Sequence, residues 1–436
     1  MELSDHLFRQ EAGRMVATLT RIFGLQNLAL AEDVVQDAFC RAVEVWKLRG
    51  VPENPSAWLM AAAKNRAVDV LRRERTARTF EPELSRFLQS EWTLAPAVAE
   101  LFAADAISDD LLRMMFSCCH PRLSEEAQVT VILHILCGFS VGEAASAFVS
   151  TQSATEKRIT RAKKVLAGSK KLFDVARSND VRSRLPAVHR ALYLLFNEGY
   201  HGASAESAIR ADLCREAMRL TAVLLEHRAG AVPATYALAA LMCFHAARLP
   251  ARMDASGNLN PFFEQDRSRW DQDLIDEGVR LLDLSAVGTD LTEYHIEAGI
   301  ARVHAIAKRA QATDWSSIVS LYDLLMKTRP SPVVALNRAI AMAEKDGAAR
   351  GLEELSRIAD VERLERYPFY WAAMGEFELR LGRRDTAREH FHAARKLARN
   401  EAERKFLAQR VGACEQPATA DVLAARQSET GELRQG

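Results

Sequence analysis

The stretch 139–166 constrains the fold most strongly, because its apolar residues recur with helical spacing on both sides of a short polar break. In its first part, four apolar residues occupy positions i, i+3, i+4 and i+7, which form one face of a short helix. These residues are Val141, Ala144, Ala145 and Phe148. The sequence therefore predicts a helix that ends close to position 148.

A second helix is predicted after the break, over 152–166, and its two sides differ in chemistry. Ser150 or Thr151 is placed to cap it, because a hydroxyl before the first turn accepts a backbone N–H that has no other partner. Five cations lie on its outer side: Lys157, Arg158, Arg161, Lys163 and Lys164. Two short helices, a tight turn and a basic outer face are the pattern of a DNA-binding helix-turn-helix. The alternative is an ordinary helical hairpin with a solvated charged face.

Charge is clustered locally although the formal net charge of the chain is zero. Residues 64–78 hold six basic and two acidic residues, and residues 156–171 hold seven basic and one acidic residue. Between them, residues 81–110 hold seven acidic and one basic residue. Basic patches of this kind can bind phosphates at short range, because salt screens distant charges beyond about 10 Å.

Length and composition indicate a soluble protein of two or three domains. The chain has 436 residues, of which 48% are hydrophobic. No apolar run reaches the ~18–20 residues of a membrane span, and the sequence MELSDHLFRQ is unlike a signal peptide. The seven scattered cysteines fit reduced thiols better than a disulfide framework. We therefore expect a cytoplasmic protein without a membrane partner.

Upstream of residue 50, the sequence predicts helices throughout 3–49. Seven apolar residues there form a single stripe: Val34, Val35, Ala38, Phe39, Ala42, Val45 and Trp46. After a Gly- and Pro-containing loop, Pro55 opens a further predicted helix over 56–78. Its basic composition fits either an exposed charged helix or a helix that faces DNA.

Three segments together resemble the sigma-70 superfamily of transcription initiation factors. AEDVVQDAFCRAVEVW (31–46) is similar to the helix that docks on the RNA polymerase clamp, and NPSAWLMAAAKNRAVDVLRR (54–73) is similar to the −10 loop and helix. SVGEAASAF with QSATEKRITRAKK is similar to the −35 helix-turn-helix. The first two segments and the third belong to two regions with no other domain between them, and this short arrangement resembles the extracytoplasmic-function (ECF) group. The long C-terminal part resembles the subgroup of ECF factors that carries a fused tetratricopeptide-like domain.

The resemblance implies three groups of site residues. Docking on core polymerase is expected to use Asp33, Gln36, Asp37 and Arg41. Melting of the −10 region is expected to use Asn54, Ser56, Trp58, Lys64, Asn65, Arg66, Arg72 and Arg73. Reading of the −35 element is expected to use Gln152, Ser153, Thr155, Lys157, Arg158 and Arg161, with Lys157 and Arg158 the strongest candidates. Trp58 fits a core anchor as well as a base-stacking platform.

From about 180 to 415 the sequence predicts helices, with no strand alternation and no dense basic cluster. Seven residues near its end match the tetratricopeptide spacing: Trp371, Met374, Gly375, Gly382, Ala387, Phe391 and Ala394. Helices are predicted at 332–344 and 348–358, and Gly347 precedes Gly382 by close to the ~34-residue period of that repeat. Small residues in such repeats let paired helices approach closely.

The predicted fold is therefore all-α, with two small helical sigma domains followed by an α-solenoid or tetratricopeptide-like domain. The expected divisions are 1–79 (polymerase and −10 binding), 80–108 (acidic linker), 109–172 (−35 helix-turn-helix), 180–415 (C-terminal domain) and 416–436 (disordered tail). The expected partners are core RNA polymerase and promoter DNA, with a protein regulator or an intramolecular contact through the C-terminal domain. No catalytic residue, metal or cofactor is expected.

Two other functions are weighed against this one. The first is a conventional helix-turn-helix regulator with a tetratricopeptide-like sensor, which binds duplex DNA but never engages core polymerase. The second is an enzyme built on Glu198, His201, Asp266 and Arg267, but no nucleophile elbow, phosphate loop or HExxH motif accompanies them.

A cysteine-rich segment, FSCCHP at 116–121, raises the question of a metal site. The adjacent Cys-Cys-His has no second cluster nearby with which to complete a tetrahedral zinc site. A helix end with buried thiols is the favoured interpretation.

Overall fold

The computed structural model describes residues 5–73, 109–148, 150–168, 178–201, 209–254 and 258–415. Regular structure in these ranges is helical, which confirms the all-α prediction. No β-strand forms there, although Met253 and Leu259 make an isolated antiparallel bridge. The predicted linker at 80–108 and tail at 416–436 lie outside the described residues.

The chain divides into two compact units, Met1–His201 with Arg210–Ala239, and Gly202–Ile209 with Ala240–Gly436. The helices of the first unit are α1 (Asp5–Phe23), α2 (Leu28–Arg49), α3 (Pro55–Arg73), α4 (Asp110–Cys118), α5 (Glu125–Leu136), α6 (Val141–Ala147), α7 (Gln152–Ala167), α8 (Ser178–Tyr200) and α9 (Ala211–Glu226). Helix α10 (Pro233–Ala246) begins in the first unit and ends in the second.

In the first unit, the predicted apolar stripe of α2 supplies the core. Val34, Val35, Ala38, Phe39, Ala42 and Trp46 are all at most 5% exposed. Helix α1 packs closely on α5, where a Cβ at Gly13 would lie 2.0 Å from the backbone oxygen of Leu136. Only glycine allows this close approach, so α1 and α5 are in direct backbone contact.

Side-chain caps begin the short helices of the first unit. The hydroxyls of Ser124 and Thr151 accept the backbone N–H groups of Ala127 and Ala154, and Thr151 is one of the two caps that the sequence predicted for α7. Ser140 and Glu143 form a reciprocal capping box at the start of α6. These caps fix where α5, α6 and α7 begin, and they leave a tight turn between α6 and α7.

The second unit consists of α11 (Gln272–Ser285), α12 (Glu293–Ile306), α13 (Trp315–Thr328), α14 (Pro332–Asp346), α15 (Ala348–Ser356), α16 (Pro368–Arg380), α17 (Arg384–Leu397) and α18 (Glu401–Glu415). Successive helices pack as neighbours along the chain. The helices predicted at 332–344 and 348–358 correspond to α14 and α15.

Small residues let the helices of the second unit approach closely. A Cβ at Gly351 would lie 2.8 Å from the ring of Phe377, and one at Gly375 would lie 2.9 Å from the ring of Phe391. Both rings are at most 2% exposed. Gly375 and Phe391 both belong to the predicted tetratricopeptide spacing, whereas Gly351 and Phe377 do not. The two contacts join α15 to α16 and α16 to α17.

Candidate nucleic-acid interface

Helix α7 presents most of its predicted DNA-contacting side chains to solvent. Gln152, Ser153, Lys157 and Arg161 are exposed. Thr155 differs, because it is fully buried and its hydroxyl donates to the carbonyl oxygen of Thr151 at 3.0 Å. Its side chain therefore serves the first turn of the helix and is not available at the surface.

Arg158 is held within its own helical domain. Its Nη2 lies 2.9 Å from Oε1 of Glu126 on α5, and its guanidinium carbon lies 5.8 Å from the centre of the Phe148 ring. The side chain is 21% exposed. Arg158 thus braces α7 against α5 and α6 while one edge remains at the surface.

A groove of about 910 Å³ runs along α7 and the start of α5. Five cations line it: Arg122, Lys157, Arg158, Arg161 and Lys164. We call this the basic groove. Arg122 and Lys164 were not among the predicted −35 residues. Arg122 lies 30 residues before α7 in sequence, in the turn that follows α4, so its sequence neighbours gave no signal that it would join the cations of α7.

The −10 candidates lie at the start and along the outer side of α3. Asn54 caps the helix, since its Oδ1 accepts the backbone N–H of Ala57 at 3.0 Å. Trp58 is half-buried, and its ring packs edge-on against Trp46 with 5.4 Å between the ring centres. Asn65 is exposed, and partial burial lowers the pKa of the Lys64 ammonium. The side chains of Arg72 and Arg73 lie outside the described residues.

An ion pair joins two of the predicted sites. Nε of Arg66 on α3 lies 2.8 Å from Oδ2 of Asp37 on α2, and both side chains are about half exposed. The other polymerase candidates, Asp33, Gln36 and Arg41, are exposed on α2. The pair therefore joins a polymerase candidate on α2 to a −10 candidate on α3.

The thiols at the end of α4 are buried, as the sequence favoured. Burial raises the pKa of the Cys119 thiol to about 12 and holds the pKa of the Cys118 thiol well above its usual range. In the described ranges, no group of three His, Cys, Asp or Glu side chains is placed to hold a metal ion. Protonated, buried thiols are poor nucleophiles and poor ligands.

The polar residues weighed as an enzyme site have structural partners. Glu198 and Glu143 both pair with Arg210, and all three side chains are at most 12% exposed. In the second unit, Asp266 accepts the backbone N–H of Ser268, and Nη1 of Arg267 donates to the carbonyl oxygens of His304 and Ala307 at 2.6 Å each. Each group thus ties loops and helix ends together within its unit.

Comparison with known proteins adds three findings. The family model of sigma-70 region 2 matches residues 7–77, which include α2, α3 and all but the first two residues of α1. A family of unknown function (DUF6596) matches residues 184–286. An uncharacterized protein of Rhizobium meliloti (strain 1021) is 36% identical over 392 residues, covering 90% of this chain and 91% of the relative. No solved structure matches the chain.

Among the described helices, none has both the length and the apolar character that a membrane crossing requires.

Proposed function

This chain belongs to the sigma-70 superfamily, and we propose that it is a sigma factor of the ECF group, which recruits core RNA polymerase to promoters in the cytoplasm. The observation that carries the proposal is that the region 2 match coincides with α1–α3, whose outer surface holds the polymerase and −10 candidates. A sigma factor needs no covalent chemistry of its own, so we assign the chain no catalytic residue or cofactor.

We infer that α6 and α7 form the helix-turn-helix that reads the −35 element. The basic groove supports this role, since five cations on one surface suit the phosphates of duplex DNA. Gln152 and Ser153 are exposed in the first turn of α7. In a helix-turn-helix the N-terminal residues of the recognition helix contact base edges in the major groove, so these two side chains would contact bases of the −35 element. Lys157, Arg161, Arg122 and Lys164 would bind phosphates, and Arg158 would hold the helix in position.

On α2, we assign Asp33, Gln36 and Arg41 to core polymerase docking. On α3, Asn65 and Lys64 would contact the opened −10 strand beside the Asn54–Trp58 loop, where an unstacked base must be received at a cost of a few kcal/mol. The helix pairs of the second unit would act as a tetratricopeptide-like regulatory domain, since small residues and buried rings alternate there as in stacked helical repeats.

Run-off transcription with bacterial core polymerase tests the proposal. We expect a transcript that depends on the full chain, and we expect Gln36→Lys to reduce binding of core polymerase by about tenfold without changing binding of duplex DNA. Gln36 is the suitable target because Asp37 is already paired with Arg66. Stable binding of duplex DNA by the chain alone, with no binding of core polymerase, would instead identify a conventional helix-turn-helix regulator.

Removal of a positive charge from the basic groove should weaken the binding of DNA to the same extent whatever the promoter sequence. For Arg161→Ala and for Arg122→Ala, we expect affinity to fall by about 3- to 10-fold on every promoter sequence, with the slope of log K against log[salt] reduced by about 1. The matched control is Lys345→Ala, an exposed cation of α14 in the second unit. An unchanged salt slope for both groove variants would remove the groove from the DNA interface.

A further inference from the structure

The side chain of Gln152, the first residue of α7, lies against Gly142 in the first turn of α6. A Cβ at Gly142 would lie 2.9 Å from Nε2 and 3.9 Å from Cδ of Gln152. The amide group therefore occupies the space that any other residue at position 142 would fill with its own side chain. The position of this amide thus depends on α6 as well as on the helix that carries it.

The backbone of α6 does not require glycine at position 142. Gly142 lies inside the helix, and its φ is not in the left-handed region that favours glycine. Alanine is more stable than glycine in such a place, because glycine loses more conformational freedom on folding. The atom that a Cβ would approach most closely is the end of the flexible Gln152 side chain. Alanine would therefore displace the amide and leave α6 intact, so the role of Gly142 is to make room for the amide.

The amide of Gln152 has the groups that distinguish one base from another. The side chain is exposed, and Thr151 caps α7 in its place by accepting the backbone N–H of Ala154. An amide has an acceptor oxygen beside an NH2 donor, and this pair matches N7 and N6 of adenine in the major groove. The hydroxyl of the neighbouring Ser153 can pair with several bases, since it both donates and accepts. Base preference in the first turn of α7 therefore depends on Gln152.

We propose that Gln152 sets a preference for adenine at one base pair of the −35 element, and that Gly142 is the positioning residue that holds its amide at the base edge. The proposal rests on the proposed helix-turn-helix function of α6 and α7, and it adds the base that this site selects. It also assigns part of the base specificity to α6, whose residues were not among the predicted −35 contacts.

Selection from a pool of randomised duplexes measures this preference. The full chain is used both in complex with core polymerase and alone. We expect the unaltered chain to enrich adenine at one position by roughly 5- to 100-fold over the other bases, which is typical of a bidentate contact. Gln152→Ala should abolish the preference at that position and leave the other positions unchanged. The matched control is Gln272→Ala, since Gln272 is also an exposed glutamine and the first residue of its helix, α11.

Two further substitutions distinguish base reading from a structural role. Gln152→Glu should change the preference at that position from adenine to cytosine, because a carboxylate accepts from N4 of cytosine and has no donor for adenine. Gly142→Ala should reduce the adenine preference by about 3- to 10-fold, because the amide is displaced, while the melting temperature of the chain is unchanged or raised. In the Gln152→Ala background, Gly142→Ala should have no further effect on base preference. Gly412→Ala is the control, because a Cβ there has no atom within 4 Å.

Salt dependence distinguishes this contact from those of the basic groove. A base contact neutralises no phosphate, so Gln152→Ala should leave the slope of log K against log[salt] unchanged. A slope reduced by about 1 would identify Gln152 as a phosphate contact and overturn the proposal.

The outcomes separate the adenine contact from the sigma function. Base preferences that survive both Gln152→Ala and Gln152→Glu would overturn the contact, and so would the loss of a preference for another base. An unchanged preference in Gly142→Ala would overturn the positioning role. If the chain alone shows the adenine preference and never binds core polymerase, the sigma function fails and the contact stands. If no duplex is enriched with or without polymerase, α6 and α7 do not read DNA and the proposal fails with them.

Discussion

At pH 4.5 the second unit is expected to lose about 5 kcal/mol of stability relative to pH 7, because two buried histidines must remain neutral in the folded state. Burial, reinforced by Arg248, Arg252 and the neighbouring His304, lowers the pKa of His245 to about 3. Burial, with Arg248 and Arg267, lowers the pKa of His304 to about 3 as well.

The direction of this pH dependence follows from the lowered pKa values of the two histidines in the folded state. In the unfolded chain a histidine binds its proton near pH 6.5, so between pH 6.5 and 3 the unfolded state binds more protons than the folded state. Stability therefore falls as the pH falls through this window, by about 2–3 kcal/mol per histidine at pH 4.5. The combined loss approaches the whole stability of a typical domain.

Urea unfolding of the full chain between pH 7 and 4, followed by tryptophan fluorescence, measures this effect. Trp315 and Trp270 are suitable reporters. The Trp315 ring packs edge-on against the His304 ring, with 5.3 Å between the ring centres, and Trp270 is buried in the same aromatic cluster. Replacing either histidine by Phe should remove about half of the acid-dependent loss. A stability of the second unit that is flat from pH 7 to 4.5 would contradict the prediction.

Phe391→Ala is expected to destabilise the second unit by about 3–5 kcal/mol. The ring is 1% exposed and lies in a cluster with Ala387, Ala394, Leu407 and Val411, so its removal leaves a cavity that fixed helices cannot fill. Thermal or urea unfolding measures the loss. A change below about 1 kcal/mol would mean that α16, α17 and α18 do not form the close-packed group described above.

Gly375 provides a second test of the same contact. In the unaltered chain, Gly375→Ala should cost about 1–3 kcal/mol, because the new Cβ would lie 2.9–3.1 Å from three ring atoms of Phe391. In the Phe391→Ala background this cost should disappear, since the clashing ring is gone. Gly412→Ala is the control, because a Cβ there has no atom within 4 Å and alanine favours the helix.

The sequence by itself determined the local structure of this protein. Apolar spacing located α2, α6 and α7, the repeat period located α14 and α15, and Thr151 was one of two residues predicted to cap α7. Apolar spacing and caps depend on residues within one or two turns of each other, so they survive in a single sequence. The superfamily was likewise visible from contiguous motifs in α2, α3 and the α6–α7 segment.

The pairing of charges was decided only by the tertiary structure. Arg158 and Arg66 are residues of the type that contacts DNA, yet each forms an ion pair with a carboxylate of another helix. Arg122 lies outside α7 in the sequence but lines the basic groove with the cations of α7. Lys163 and Glu32 are 131 residues apart in the chain and 2.7 Å apart in space. Residue type shows what a side chain can bind, but the partner depends on which distant helix packs beside it, and that packing is a property of the whole first unit.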